Sequence, residues 1–233
     1  MNDILYKDYK KYADFYDIFN KHRYYNIESK YLLEMLQTRR RVLDVGCGTG
    51  THFNILENLG YIVEGIDINP KMIAVARTKV KGNIYEADLL TYKTEEVYDA
   101  IIAMKDVFNH LSSYEEFEKG ILNLLNLLKS KGMIIIDIDN RRQTGIKKDN
   151  IDGVRRIQEC KYDSDTEIQT RKITYYIGTK KFETIHKYLI YNPKKLKKIL
   201  DKMNISYAFL TNYSKQKFSN RQKRMQILIK KLW

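Results

Sequence analysis

Three glycines stand at alternate positions in the run Leu43-Asp-Val-Gly-Cys-Gly-Thr-Gly-Thr51, between a stretch that reads as a buried strand and one that reads as a helix. Glycines there let a ligand approach the backbone closely, which is the chemistry of a nucleotide-type site. The spacing Gly46-x-Gly48-x-Gly50 differs from the dinucleotide fingerprint Gly-x-Gly-x-x-Gly, and no Gly-Lys-Ser/Thr follows to cradle a triphosphate. A pyrophosphate ligand is disfavoured. Asp67 ends the next strand, 17 residues after Gly50, where a carboxylate can accept both hydroxyls of a ribose. Asp88 ends the third, where it could accept from an exocyclic amine. His110 falls just past the fourth strand, at the carboxyl edge where ligands of open α/β sheets bind, and an imidazole suits general-base or orienting work near neutral pH. Asp137 and Asp139, at the end of the fifth strand, face opposite sides; Asp139 is favoured as the one aimed into the site because it lies nearer the strand's carboxyl end. Each residue also has a plainer reading. A lone His can be a satisfied structural group, Tyr12 and Tyr16 can pack a helix face, and Cys47 reads as a small residue rather than a nucleophile.

The elements that must position these residues alternate in period. Tyr9 to Tyr16 and Ser29 to Leu36 have helical spacing. Arg41 to Val45 is a short buried strand, His52 to Leu59 a helix closed by Gly60, and Tyr61 to Asp67 the next strand. Asn69-Pro70 opens a helix, and strands near Asn83 to Glu86, at Ala100 to Met104 and at Met133 to Ile138 follow, with a helix from Tyr114 to Lys129. Five strands with interleaved helices predict a parallel sheet covered on both faces. From about residue 154 the pattern becomes hairpin-like: Val154 to Tyr162, Glu167 to Ile177 and Phe182 to Tyr191 read as antiparallel strands. Pro193 opens a helix to about Met203, and Ile205 to Leu210 with Met225 to Ile229 form an antiparallel pair on the edge of the main sheet. The expected organisation is one α/β, doubly wound domain over residues 1–233. It has an N-terminal helical cap (1–36), a ligand-binding core (37–140), an antiparallel insertion (141–191), and a last helix with edge strands (192–233).

The chain has 233 residues, 43% hydrophobic and 30% charged, the balance of a soluble globular protein. Its longest apolar runs, such as Gly132 to Ile136, fall far short of the roughly 20 residues of a membrane helix, and charged residues fill the N-terminus where a signal peptide would be apolar. Cys47 and Cys160, without His or Cys neighbours at ligand spacing, give neither a disulfide framework nor a metal site, so a reducing cytoplasm is the expected location. The net charge of +13 is unevenly spread: residues 1–140 carry 18 Lys+Arg against 21 Asp+Glu, residues 141–233 carry 24 against 8. The second part, at +16, creates a positive field that attracts anionic partners, whether phosphate-bearing small molecules or RNA, unless it is simply a solvated lysine-rich surface.

With these elements in order, the sequence resembles the class I S-adenosylmethionine-dependent methyltransferases, whose first motif is matched by Asp44-Val-Gly-Cys-Gly-Thr-Gly50. Asp67 in Gly-Ile-Asp-Ile-Asn-Pro, Asp88 in Glu-Ala-Asp-Leu, the Tyr98 to Met104 strand and the Leu128 to Ile134 turn follow in family order, over roughly residues 12–140. The resemblance implies a mostly parallel, seven-stranded Rossmann-like sheet and S-adenosylmethionine as cofactor, released as S-adenosylhomocysteine. It implies that Gly46, Cys47, Gly48 and Gly50 pack against the methionine portion and ribose, and that Asp44 supports the loop and the methionine amine. Asp67 with Ile68 would bind the ribose, Asp88 with Leu89 the adenine, and Met104 would line the same site. Tyr16 and Arg23 would come from a segment that folds over the cofactor, Arg23 pairing with its carboxylate and an aromatic ring facing the sulfonium.

More narrowly, Phe108-Asn-His-Leu111 and His186-Lys-Tyr-Leu-Ile-Tyr-Asn-Pro193 look like the amino-sugar N,N-dimethyltransferase branch. Its members act on nucleotide-linked deoxyamino sugars and use a sheet-like insertion as a substrate wall. A small-molecule acceptor, an amine and anionic, is therefore the first expectation, with His110 and Asp139 as the catalytic candidates. The second is an RNA methyltransferase that uses the basic C-terminal part, with Tyr213, Phe218 and Trp233 available for stacking. A cofactor-binding module without catalysis is the third. The sequence leaves a homodimer open.

Overall fold

The computed structural model describes residues 13, 16–18, 20, 25–151, 153–219 and 222–233. Along the core run α1 (Tyr25–Leu36), β1 (Arg41–Val45), α2 (Thr51–Asn58), β2 (Ile62–Asp67), α3 (Pro70–Ala76), β3 (Ile84–Glu86), β4 (Tyr98–Ala103), α4 (Tyr114–Asn126) and β5 (Leu128–Asp139). Then come β6 (Gly145–Ile151), β7 (Val154–Asp163), β8 (Ile168–Ile177), β9 (Lys180–Leu189), α5 (Pro193–Leu200), β10 (Ile205–Thr211) and β11 (Arg224–Lys231).

Alternate residues of the central strands point to opposite faces, and both faces are apolar. Val42, Ala100, Ile102, Met133 and Ile135 pack on one side with Leu32 and Leu36 of α1 and Phe53 and Leu56 of α2. Leu43, Val45, Ile101, Ala103, Ile134 and Ile136 pack on the other with Phe117, Ile121 and Leu124 of α4 and Leu196 and Leu200 of α5. A sheet buried on both faces is what parallel strands with crossover helices require. The strand order is β10-β11-β5-β4-β1-β2-β3, parallel from β5 to β3, with β11 antiparallel to both β5 and β10. This is the expected seven-stranded, doubly wound sheet with an antiparallel edge pair. The order reverses between β1 and β4, so the crevice beyond their carboxyl ends is where a ligand fits.

Local chemistry fixes the ends of the helices that flank that crevice. Asn69 caps α3, its side chain accepting from Lys71 N at 3.0 Å, with Pro70 in the first turn where its missing N–H costs nothing. Ser113 caps α4 by accepting from Glu116 N at 3.2 Å, while the Glu116 carboxylate accepts from Ser112 N at 2.7 Å. The helix ends at Asn126 rather than Lys129, because Leu128 already pairs with Tyr98 of β4.

The insertion forms a second, antiparallel sheet in the order β6-β7-β8-β9. Its first strand, β6, escaped the sequence reading: Lys147-Lys-Asp-Asn150 gives no apolar alternation, as suits an exposed edge strand where charge discourages further pairing. Ile173 and Tyr175 of β8 pack with Met72 of α3 and Ala13. No helix among the described residues is long and apolar enough to cross a membrane.

Candidate active site

The glycine loop leaves β1 and enters α2 with Gly46, Gly48 and Gly50 all in the left-handed region, at φ 65°, 57° and 76°. Gly46 and Gly48 line a cavity of about 1370 Å³, which runs along Asp67, Ile68, Asp88 and Leu89 and continues to His110 and the insertion. A side chain at Gly48 would meet nothing within 4 Å, so the space over the loop is open to a ligand. A smaller cavity of about 50 Å³ adjoins it, walled by Asp44, Cys47, Thr49, His52, Met104 and Lys105. Tyr16, Gly46, Gly48 and Lys105 border both. Gly50 borders neither and instead caps α2 against Ala76.

The carboxylates differ in what already holds them. Asp67 accepts from Gly48 N and Asn69 N, each at 2.8 Å, so it ties the glycine loop to the β2 end while facing the large cavity. Burial pushes its carboxyl up, against the pull of those backbone donors. Asp88 accepts from Leu90 N at 2.9 Å. Asp44 is buried, its Oδ2 has no hydrogen-bond partner among the described residues, and burial together with the charge of Asp67 pushes its carboxyl up to about 8. Burial likewise pushes the Cys47 thiol up, far from a reactive thiolate.

Behind the small cavity lies a buried charge network that the sequence reading missed, because its members are far apart in the chain. Arg224 of β11 pairs with Asp106 at 2.5 Å and with Asp137. The Tyr213 hydroxyl lies 3.1 Å from Glu28 and 3.0 Å from Asp137, and Glu28 pairs with His52 at 2.8 Å. Lys105 has its Nζ 3.9 Å from Glu28 and 3.3 Å from the centroid of the Tyr25 ring. Tyr213 is thus committed to this network and Phe218 packs against the core, which corrects the expectation that both are free to stack on RNA bases. Trp233 is exposed, with Lys231 over its ring.

The turn Phe108–His110 after β4 is pinned from two sides. Asn109 Nδ2 donates to Leu189 O at 2.7 Å and to Asp139 O at 3.1 Å, and its Oδ1 accepts from Asp139 N at 2.9 Å. The Tyr191 hydroxyl donates to Phe108 O at 2.7 Å. This presents His110 on the cavity wall, its ring 4.8 Å from that of Tyr188. Burial pushes its imidazole down to about 4. Asp139 does not join it there. Its carboxylate is fully buried and taken up by Arg141 (Nε, 2.8 Å) and Arg171 (Nη2, 2.5 Å), which corrects the expectation that Asp139 points into the site. Arg171 and Arg141 could not be linked to it from spacing alone.

Lys161 of β7, Thr170 of β8 and Lys187 of β9 are in register on three adjacent strands and line the same cavity as the glycine loop. Neither lysine has an ion-pair partner among the described residues. Near the loop, Asp17 accepts from Thr49 Oγ1 at 2.7 Å and pairs with Lys79, so Asp17 is fastened to the glycine loop. Arg23, Tyr12 and Tyr24 lie outside the described residues.

A family model described as a methyltransferase domain matches residues 42–132, the stretch that holds the glycine loop, Asp67, Asp88 and His110. This stretch of the chain is similar to a methyltransferase domain. Over 131 residues, 52% of each chain, it is 32% identical to a ubiquinone biosynthesis O-methyltransferase of Rickettsia felis. The chain spans 52 to 68% of the length of the first curated relatives it matches. Two solved structures share the fold over nearly their whole length. One is an S-adenosylmethionine-dependent methyltransferase from Clostridium acetobutylicum, with a TM-score of 0.84 and 20% identity over 96% of this chain and 98% of that one. The other is CalS10, an amino pentose methyltransferase from Micromonospora echinaspora with its cofactor bound, with a TM-score of 0.75 and 17% identity over 95% and 96%.

The residues present fit S-adenosylmethionine, the cofactor that the resemblance implies. The open space over Gly48 admits a nucleoside, and the orphaned Asp44 oxygen beside the small cavity is a ready acceptor for an ammonium group. The large cavity has room for an acceptor as well, because it extends past His110 to the Lys161, Thr170 and Lys187 row.

Proposed function

We propose that this methyltransferase alkylates an amine on a small anionic acceptor, of which a nucleotide-linked amino sugar is the best-fitting class. The observation that carries this reading is the Lys161-Thr170-Lys187 row on the cavity wall, two cations without an ion-pair partner among the described residues flanking a hydroxyl. Such a row suits a phosphate group, while the cavity between it and His110 leaves room for the amine-bearing part. The fold shared with CalS10 is consistent with an amino-sugar acceptor.

When bound, the cofactor supplies an electrophilic methyl on a sulfonium. In this reading Asp67 and Asp88 hold the ribose and adenine, with Ile68 and Leu89 beside them. Gly46, Gly48, Cys47 and Met104 contact the methionine arm, and Asp44 its ammonium. Lys105, on the border of both cavities, is placed for the carboxylate, a role that sequence reasoning gave to Arg23. His110 orients the acceptor. The nitrogen lone pair forms the N–C bond as the C–S bond breaks and its pair stays on sulfur. The positive charge passes to nitrogen, and a proton leaves it for solvent. The protein's contribution is alignment and the exclusion of water rather than a covalent step.

The test compares acceptors. Lys161→Ala with Lys187→Ala is expected to raise KM for a nucleoside-diphosphate-linked amino sugar about tenfold or more, since even one charge-assisted contact contributes about 1.5–3 kcal/mol, with kcat little changed. KM for an uncharged amino sugar should not move. Equal losses on charged and uncharged acceptors would contradict an anion site on this row.

A further inference from the structure

Asp139 is removed from the cavity, yet its partner Arg171 lies close to His110. On β8 and β9, Arg171 sits directly across from His186 and diagonally from Tyr188. Its guanidinium carbon is 4.5 Å from the centroid of the Tyr188 ring, and the same ring is 4.8 Å from that of His110 and 6.0 Å from that of His186. Arg171 is locked in this position by Asp139, which is itself held by Arg141 and by the backbone of residue 141.

We propose that Arg171, clamped by Asp139, is a positioning residue that holds His110 as a neutral imidazole facing the acceptor amine; this rests on the reading of His110 given above. The charge arithmetic favours it. Asp139, Arg141 and Arg171 together carry one net positive charge; Arg141 is partly exposed, and the buried Arg171 guanidinium lies against the Tyr188 ring. Asp106, which shares Arg224 with Asp137, is the carboxylate that draws a proton toward His110, and Arg171 opposes it. His186 adds no compensating negative charge: it shares a 2.9 Å hydrogen bond with Thr184 Oγ1, and burial pushes its own imidazole down to about 3. The remaining charged groups on the cavity wall near His110 are Lys105, Glu116 and Lys187, and Glu116 is bound to Ser112 N. The depressed imidazole of His110, driven by burial and by Arg171 against Asp106, agrees with this balance.

The protonation state matters for the chemistry. A neutral imidazole can accept an N–H of the acceptor amine and leave the nitrogen lone pair aimed at the methyl. An imidazolium can only donate, and would occupy that lone pair. It would also add a cation beside a sulfonium.

Histidine C–H resonances of the full-length protein, titrated by NMR and assigned with His110→Gln, give the direct readout. In the wild type His110 is expected to stay neutral from about pH 8 to about pH 5. In Arg171→Met its midpoint should rise by about one pH unit, a tenfold gain in proton affinity, and the acidic limb of kcat should rise with it. Arg171→Lys should stay near the wild type, and Asp139→Asn, which removes the negative charge, should not move the midpoint upward. A midpoint that stays put in Arg171→Met, or that rises equally in Asp139→Asn, overturns the proposal. A midpoint that moves as expected while His110→Gln keeps wild-type kcat overturns instead the reading of His110 as the acceptor's partner.

Discussion

Asp44 and Asp139 are both buried acids near the carboxyl ends of β1 and β5, the two strands that flank β4, and their surroundings set them opposite tasks. Two guanidinium groups surround Asp139 and hold its carboxyl below the ordinary carboxylate range, although burial works the other way. Asp44 has only backbone help, so burial and the neighbouring Asp67 push it up to about 8. At pH 7 it is therefore mostly protonated in the free protein. An ammonium brought against its orphaned oxygen restores the anion, and a proton must leave. Cofactor binding measured by calorimetry near pH 7 should release most of one proton, seen as an enthalpy that depends on the ionisation heat of the buffer and fades above about pH 9. Binding with a buffer-independent enthalpy would contradict the placement of Asp44 at the methionine amine. The sequence shows Asp44 and Asp67 because each lies near the end of a strand whose apolar run is plain, whereas Asp88, two residues past the short β3, is marked by the resemblance. It does not show that Asp139 is neutralised, because Arg171 reaches it from a strand 32 residues away whose pairing only the folded insertion defines.

At the level of elements, the glycine loop shows how position alone separates packing from binding. A Cβ on Gly46 would lie 2.5 Å from Val107 Cγ2, whereas one on Gly48 would meet nothing within 4 Å, and both residues have positive φ. Gly46→Ala should therefore cost about 2–5 kcal/mol of stability, overpacking added to left-handed strain. Gly48→Ala should cost only the strain, about 1–2 kcal/mol, yet lose cofactor affinity because its methyl enters the cavity. Melting temperatures with and without cofactor separate the two. The parallel core was legible to within a few residues, since buried strands of Val, Ile and Leu alternate with capped helices. The edge strand β6 was not, because solvent on its outer side leaves lysines and polar residues where an apolar period would show. The hairpins β7 to β9 were legible as strands, but the Lys161, Thr170 and Lys187 row was not, since it exists only once the register is set.

For the molecule as a whole, the charge of the C-terminal part takes on a direction. Part of the +16 of residues 141–233 is spent on buried pairs, Arg171 with Asp139 and Arg224 with Asp106 and Asp137, and part stands on the cavity wall as Lys161 and Lys187. Two of the three aromatic residues that would serve RNA are half-buried and packed against the core. The proposed anionic small-molecule acceptor accounts for the two cavity-lining lysines. The measurement that tests this most directly is methyl transfer from radiolabelled S-adenosylmethionine into a cell extract split by ultrafiltration into small-molecule and macromolecular fractions. The account predicts label in the small fraction, on species that bind an anion exchanger and whose labelling is lost in the Lys161→Ala, Lys187→Ala protein. Nuclease-sensitive label confined to the large fraction would contradict it.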